Sequence, residues 1–201
     1  MLKRKEKKAF LLSRRMNGYF NTADLKKAGL NIYDINSLLE MGKIERVKRG
    51  LYKWLEMTEE TNEMAEVARM VPNGVFCLFS ALAWHELTTY IPKEHNIAIY
   101  TYSRKPALPN YPPVKFYFFA DKRFEIGVQT VKIDGHEIKI YDLEKTICDI
   151  IHYRNKLGID IVKEALDKYK TRKERNLQKL MQYANDLRDA NVLRKYLEVL
   201  I

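Results

Sequence analysis

Four glycines, at positions 18, 29, 42 and 50, cut the first fifty residues into pieces that fit only a small module of short helices and a hairpin. Asn17-Gly18 stops a first helix over residues 3–16, where Phe10, Leu11 and Met16 form an apolar stripe among lysines. Tyr19-Phe20 then reads as a short extended piece. Thr22 is the expected N-cap of a second helix, 23–28, with Asp24 in its first turn and Gly29 at its end. Asn31 caps a third helix, Ile32 to Met41, with Asp34 three residues on and Gly42 as the stop. Two alternating segments follow, 44–48 and 51–54, joined by Arg49-Gly50, where Gly50 supplies the positive φ of a tight hairpin. Helix, short helix, turn, helix, hairpin is the order of a winged helix-turn-helix.

Charge supports that reading. Residues 1–55 hold 14 Lys and Arg against 5 Asp and Glu, a net of +9, whereas the whole chain is +10. A cationic module on a near-neutral body points to a polyanionic partner, because neutralising phosphates releases their counterions. In such a motif the second helix lies in the major groove. If Ile35, Leu38 and Leu39 pack inward, then Tyr33, Asn36, Ser37 and Glu40 point out. Asn36 suits adenine, and Ser37 and Tyr33 suit bases or phosphates. The helix itself carries no cation, so the expected DNA contacts come from around it. They are Thr22, Lys26 and Lys27 before it, and Lys43, Arg46, Lys48 and Arg49 on the hairpin. Arg14 and Arg15 end the first helix.

The remaining chain reads as α+β. Helices are expected at about 61–70, 75–86, 142–153, 160–169, 172–184 and 192–200, and strands at 96–100, 114–120, 128–133 and 137–141. Residues 105–113, rich in proline, form a loop. Asp134-Gly135 makes a hairpin of the 128–133 and 137–141 strands. The expected organisation is therefore a winged helix-turn-helix at 1–56 and a larger α+β domain at 57–201, with antiparallel strands and C-terminal helices. No apolar run reaches the length of a membrane span. Phe10-Leu11-Leu12 is too short for a secretion signal, so a cytoplasmic protein is expected. Cys77 and Cys148 read as small buried hydrophobes.

Two motifs carry a resemblance. Residues 16–54, with Gly18-Tyr19-Phe20-Asn21-Thr22-Ala23-Asp24-Leu25 leading to Lys48-Arg49-Gly50-Leu51-Tyr52, resemble the N-terminal winged helix of the AbiEi family, the antitoxins of type IV toxin–antitoxin (abortive infection) systems. The run from Ser80 to Thr88, SALAWHELT, and the run from Ile140 to Asp149, IYDLEKTICD, are similar to two helices of the same family. The resemblance implies a transcriptional autorepressor that binds inverted repeats in double-stranded DNA of its own promoter. Basic residues of the second domain would assist, here Arg172, Lys173 and Arg175. It also implies action against a nucleotidyltransferase-like toxin from the same operon, without a stable complex, and it calls for no enzyme activity, metal or cofactor.

Two other classes of function compete. Glu137-Ile138-Lys139 with Asp121 or Asp134 fits the acidic-x-Lys strand of a Mg²⁺-dependent nuclease, although a turn at Asp134-Gly135 and a solvated Glu137–Lys139 pair explain the same residues. A winged helix can also bind a protein instead of DNA. His85, on an apolar helix, is expected to be a hydrogen-bonded core residue, and Glu144 and Asp149 to cap or flank a packing helix. The aromatic stretch of Tyr100, Tyr102, Tyr111 and residues 116–119 is expected to fill a β core.

Overall fold

The computed structural model describes residues 2–57 and 62–200, which fall into two compact units. One comprises Met1–Asn62 with Ala107–Pro109, and the other Glu63–Pro106 with Asn110–Ile201. The expected start of a helix at Thr61 lies outside the described residues.

The first unit runs α1 (Leu2–Arg15), β1 (Tyr19–Asn21), α2 (Thr22–Lys27), α3 (Ile32–Glu40), β2 (Ile44–Lys48) and β3 (Leu51–Trp54). The strands form one antiparallel sheet in the order β1-β3-β2. Helices α2 and α3 start with the same device. Asn21 and Asp24, and again Asn31 and Asp34, exchange side-chain and backbone hydrogen bonds across the first turn, each box stabilising its helix by about 1 kcal/mol. The cap of α2 is thus Asn21, not Thr22. An Asn at the end of β1 can take the extended N-cap conformation and still present its amide oxygen to Asp24. Gly50 has φ of +83°, as the two-residue hairpin turn requires. Ala9, Phe20, Leu25, Leu30, Ile35, Leu38, Ile44, Tyr52 and Trp54 close a core of their own, with Phe10 edge-on to Trp54 at 5.6 Å between ring centres.

The second unit contains α4 (Glu63–Met70), β4 (Val75–Phe76), α5 (Leu78–Trp84), β5 (His95–Tyr100), β6 (Val114–Phe119), α6 (Asp121–Glu125), β7 (Val128–Ile133), β8 (His136–Tyr141), α7 (Leu143–His152), α8 (Arg154–Leu157), α9 (Ile159–Thr171), α10 (Leu177–Asp186) and α11 (Ala190–Leu200). It is α+β, but its sheet is mixed rather than antiparallel. The order is β6-β5-β4-β8-β7, and both β5–β6 and β4–β8 run parallel. The β7–β8 hairpin turns at Asp134-Gly135 with Ile133 opposite His136. The apolar run expected as one helix from Val75 divides: Val75 and Phe76 pair with Ala98 and Ile97, and only Leu78–Trp84 is helical. Residues 172–176 are not helical, and α10 begins behind the N-cap Asn176. Helices α7, α9, α10 and α11 share a core around Ile147, Ile151, Leu166 and Leu193. The aromatic stretch is split. Phe119 is buried, whereas Tyr102, Tyr111 and Phe118 are exposed, because β6 is an edge strand and Tyr102 and Tyr111 lie on the loop before it. No helix among the described residues is long and apolar enough to cross a membrane.

Candidate nucleic-acid interface

Helix α3 presents its polar face outward. Ile35 and Leu38 are buried, Leu39 is half-buried against the same core, Tyr33 is 80% exposed, and Asn36 and Glu40 are exposed, with Ser37 half-buried. The helix is short and starts at a defined cap, so the positions of these side chains are fixed from its first turn.

The cations expected around α3 differ in their freedom. Lys26, Lys27 and Arg49 are exposed and make no ion pair among the described residues. Arg46 is exposed and lies 5.7 Å over the ring of Tyr52, opposite it on β3. Lys48 is half-buried, and burial pushes its ammonium below the usual lysine range. Lys43 is committed inside the unit: its Nζ pairs with Glu56 at 2.5 Å and with Glu6 at 3.6 Å. The Glu56 hydrogen bond holds its proton more tightly than usual. Thr22 links two elements. Its amide donates to the Gly50 carbonyl at 2.9 Å and its Oγ1 lies 3.5 Å from the same oxygen. That contact sets the hairpin turn, with Lys48 and Arg49, beside the start of α2.

Sequence reasoning passed over most of α1. Lys3, Arg4, Lys7 and Lys8 are exposed along with Arg14 and Arg15. The i, i+4, i+11 spacing of Arg4, Lys8 and Arg15, and of Lys3, Lys7 and Arg14, was the available signal, since such positions share a helix face. Three acids are spent locally: Asp34 on Lys5 at 2.7 Å, Glu45 on Lys53 at 3.3 Å, and Glu6 on Lys43.

The cations singled out in the second unit are less alike than their sequence suggests. The guanidinium of Arg172 donates to the His85 carbonyl and pairs with Glu86 and Glu174 at 3.4 and 3.5 Å. Lys173 and Arg175 are exposed. The two conspicuous motifs of this unit hold it together from inside. Ser80 Oγ accepts the Asn96 amide at 2.7 Å, His85 Nε2 donates to the Tyr141 carbonyl at 2.8 Å, and Thr88 Oγ1 donates to Glu164 at 2.8 Å. Burial lowers the His85 pKa. His85 is thus the hydrogen-bonded residue expected, placed just past the end of α5.

Glu144 and Asp149 depart from expectation. Neither simply caps or flanks a helix; both are buried acids paired with cations. Asp149 meets Arg123 at 2.8 Å and Lys145 at 2.5 Å, and the Lys145 Nζ lies 4.0 Å from the centre of the Tyr141 ring. Glu144 takes Lys179, the Tyr169 hydroxyl and the Asn176 amide. The N-cap of α7 is Asp142.

The acids of the nuclease alternative are scattered. Asp121 starts α6 and accepts from the Tyr100 hydroxyl at 3.1 Å, and Asp134 sits in the β7–β8 turn. Glu137 and Lys139 line a cavity of about 340 Å³ with Arg69 and His136, and neither Asp121 nor Asp134 is among its described lining residues. Among the described residues no group of three His, Cys, Asp or Glu is arranged to hold a metal ion. Cys77 and Cys148 are buried and free.

Residues 8–52 match the family model of transcriptional regulators described as AbiEi antitoxins. The match bears out the resemblance carried by Gly18–Leu25 and Lys48–Tyr52, and it covers α1 from Lys8, β1, α2, α3, β2 and the start of β3. A search of curated proteins gave no match.

Proposed function

We propose, because residues 8–52 match the family model of AbiEi antitoxin transcriptional regulators, that the chain is a cytoplasmic, non-enzymatic autorepressor that binds double-stranded DNA through a winged helix. It would act as the antitoxin of a type IV toxin–antitoxin pair. One observation carries the reading: α3 offers an exposed polar face, and exposed cations that make no ion pair among the described residues stand on the elements either side of it.

In this reading α2, α3 and the β2–β3 hairpin are the helix-turn-helix and its wing. Asn36 reads a base edge in the major groove, and Ser37 and Tyr33 contact neighbouring bases or phosphates. Lys26, Lys27, Arg46, Lys48 and Arg49 take phosphates. Lys43 and Thr22 act indirectly, one tethering the wing base through Glu56 and the other its tip through Gly50. Lys173 and Arg175 are the second-unit cations open to further phosphate contact. Inverted repeats in the chain's own promoter are the expected sites, and a nucleotidyltransferase-like toxin the expected functional partner.

The test is a gel shift with the DNA upstream of the gene. Affinity should fall steeply as salt rises, since several phosphates are contacted; a flat response would sink the DNA reading and leave a protein-binding winged helix. Incubation with DNA and Mg²⁺ should leave the DNA intact. Co-expression should relieve the toxicity of a nucleotidyltransferase-like product encoded in the same operon.

A further inference from the structure

The cavity beside α4 belongs to none of the elements assigned to DNA. It lies within the second unit, where Arg69 from the last turn of α4 comes against His136 at the start of β8. Lys139, two residues along β8 from Glu137, lies opposite Thr130 of β7, and all three line the space. The remaining wall is apolar and includes Ala68 and Val71. A volume of about 340 Å³ is at the small end of pockets that hold organic ligands, and an apolar wall with a few convergent polar groups is their usual lining.

The polar groups define the ligand's chemistry. Arg69 offers a planar fork and Lys139 a point charge, the two donor types that recognise phosphate. Lys139 makes no ion pair among the described residues. His136 adds a ring nitrogen, and its burial together with the neighbouring Arg69 charge lowers its pKa. Thr130 supplies a hydroxyl. Glu137 is the one acidic group among the described lining residues; it would repel a bare phosphate, but it accepts hydrogen bonds from a hydroxyl on the body of the ligand.

We propose that this cavity binds a small phosphomonoester with a hydroxyl-bearing body, of the size of a sugar phosphate or nucleoside monophosphate, with Arg69 and Lys139 on the phosphate and Glu137 on a hydroxyl. The site is separate from the DNA-binding reading and does not depend on it.

The test is calorimetric titration of the full chain with ribose 5-phosphate, AMP, inorganic phosphate and ribose, repeated while following the His136 ring resonances by NMR. Ribose 5-phosphate or AMP should bind and shift those resonances, inorganic phosphate should bind more weakly, and ribose should do neither. Lys139→Gln, at an exposed position where folding is not at risk, should weaken binding about tenfold, the scale of a lost hydrogen bond to a charged group. Glu137→Gln should weaken the sugar phosphate more than inorganic phosphate. No response to either phosphomonoester overturns the proposal. So does binding that Lys139→Gln leaves unchanged, or a His136 shift produced by duplex DNA but by neither small molecule.

Discussion

The two units use charge in opposite ways. In the first, Asp24 and Asp34 serve helix caps, Asp34, Glu6, Glu45 and Glu56 pair with Lys5, Lys43 and Lys53, and most other cations stand in water. The second holds 22 Lys and Arg against 18 Asp and Glu, and a notable share is turned inward. Lys145 and Asp149 are wholly buried, and Arg123, Asp189, Asp142, Glu144 and Lys179 join them in pairs that cross α6, α7, α10 and the start of α11. Net charge alone would describe both units as basic, the first at 14 Lys and Arg against 8 Asp and Glu and the second at 22 against 18. The geometry says more: one keeps its charge available to a partner, while the other uses it to fix its own packing.

The strongest way to break that contrast is Asp149→Ala. It removes the acid shared by Arg123 and Lys145 and leaves a buried ammonium without its partner, which costs about 3–5 kcal/mol. Each unit carries one tryptophan, Trp54 in the first and Trp84 in the second. Denaturant unfolding of the full chain, followed by Trp84 in a Trp54→Phe background, should show the loss. Followed by Trp54 in a Trp84→Phe background, the first unit's transition should stay where it was. A change below about 1 kcal/mol on the Trp84 transition, the scale of an exposed pair, would mean that the buried network is dispensable.

The next effect is on the other side. Lys48→Ala with Arg49→Ala should weaken every DNA sequence about equally, by about tenfold or more, and flatten the salt dependence by about two phosphate contacts. Lys179→Ala, which takes a cation from the inward network, should leave the salt slope unchanged. Equal slopes for both variants would erase the distinction between the units. Asn36→Ala should do something smaller and different: relax the preference for the operator over other DNA, by about 1–3 kcal/mol at one base pair. If competition assays find the preference intact, the reading face of α3 has been misassigned.

How much of this was legible in the chain follows range. The first unit could be read nearly whole, because its signals are local: Asn31 and Asp34 three apart, glycines at the stops, Arg49-Gly50 between alternating pairs. Even there Asn21 was passed over for Thr22, since both residue types cap helices and only the backbone decides. In the second unit the β7–β8 hairpin announced itself through Asp134-Gly135. The parallel pairs did not, because nothing near β5 specifies that its neighbours are β4 and β6. An apolar run such as Val75–Trp84 also looks the same whether it is a helix or a two-residue strand followed by one. The buried Lys145 has a visible partner at i+4 in Asp149, but its burial depends on Arg123, Phe119 and Tyr141 arriving from other elements. The cavity is the extreme case, since Arg69 and His136 are 67 residues apart.

The smallest effect tests whether the inward use of charge extends to the rim of the second unit. Glu164 is only partly covered, and burial by itself would raise its pKa. The Thr88 hydroxyl, the Thr89 amide and Lys168 more than offset this and hold the carboxyl at about 2, against 4.5 for a free glutamate. A carboxyl whose folded pKa is depressed stabilises the fold in full above its unfolded pKa. That contribution fades as pH falls from about 4.5 towards 2. Solvent screening at this partly exposed site reduces it to about 1 kcal/mol. Glu164→Gln should therefore lower stability by about that much at neutral pH and should converge with the parent chain near pH 2. A difference that stayed constant across that range would assign the effect to packing of the side chain against Thr88 and not to its charge.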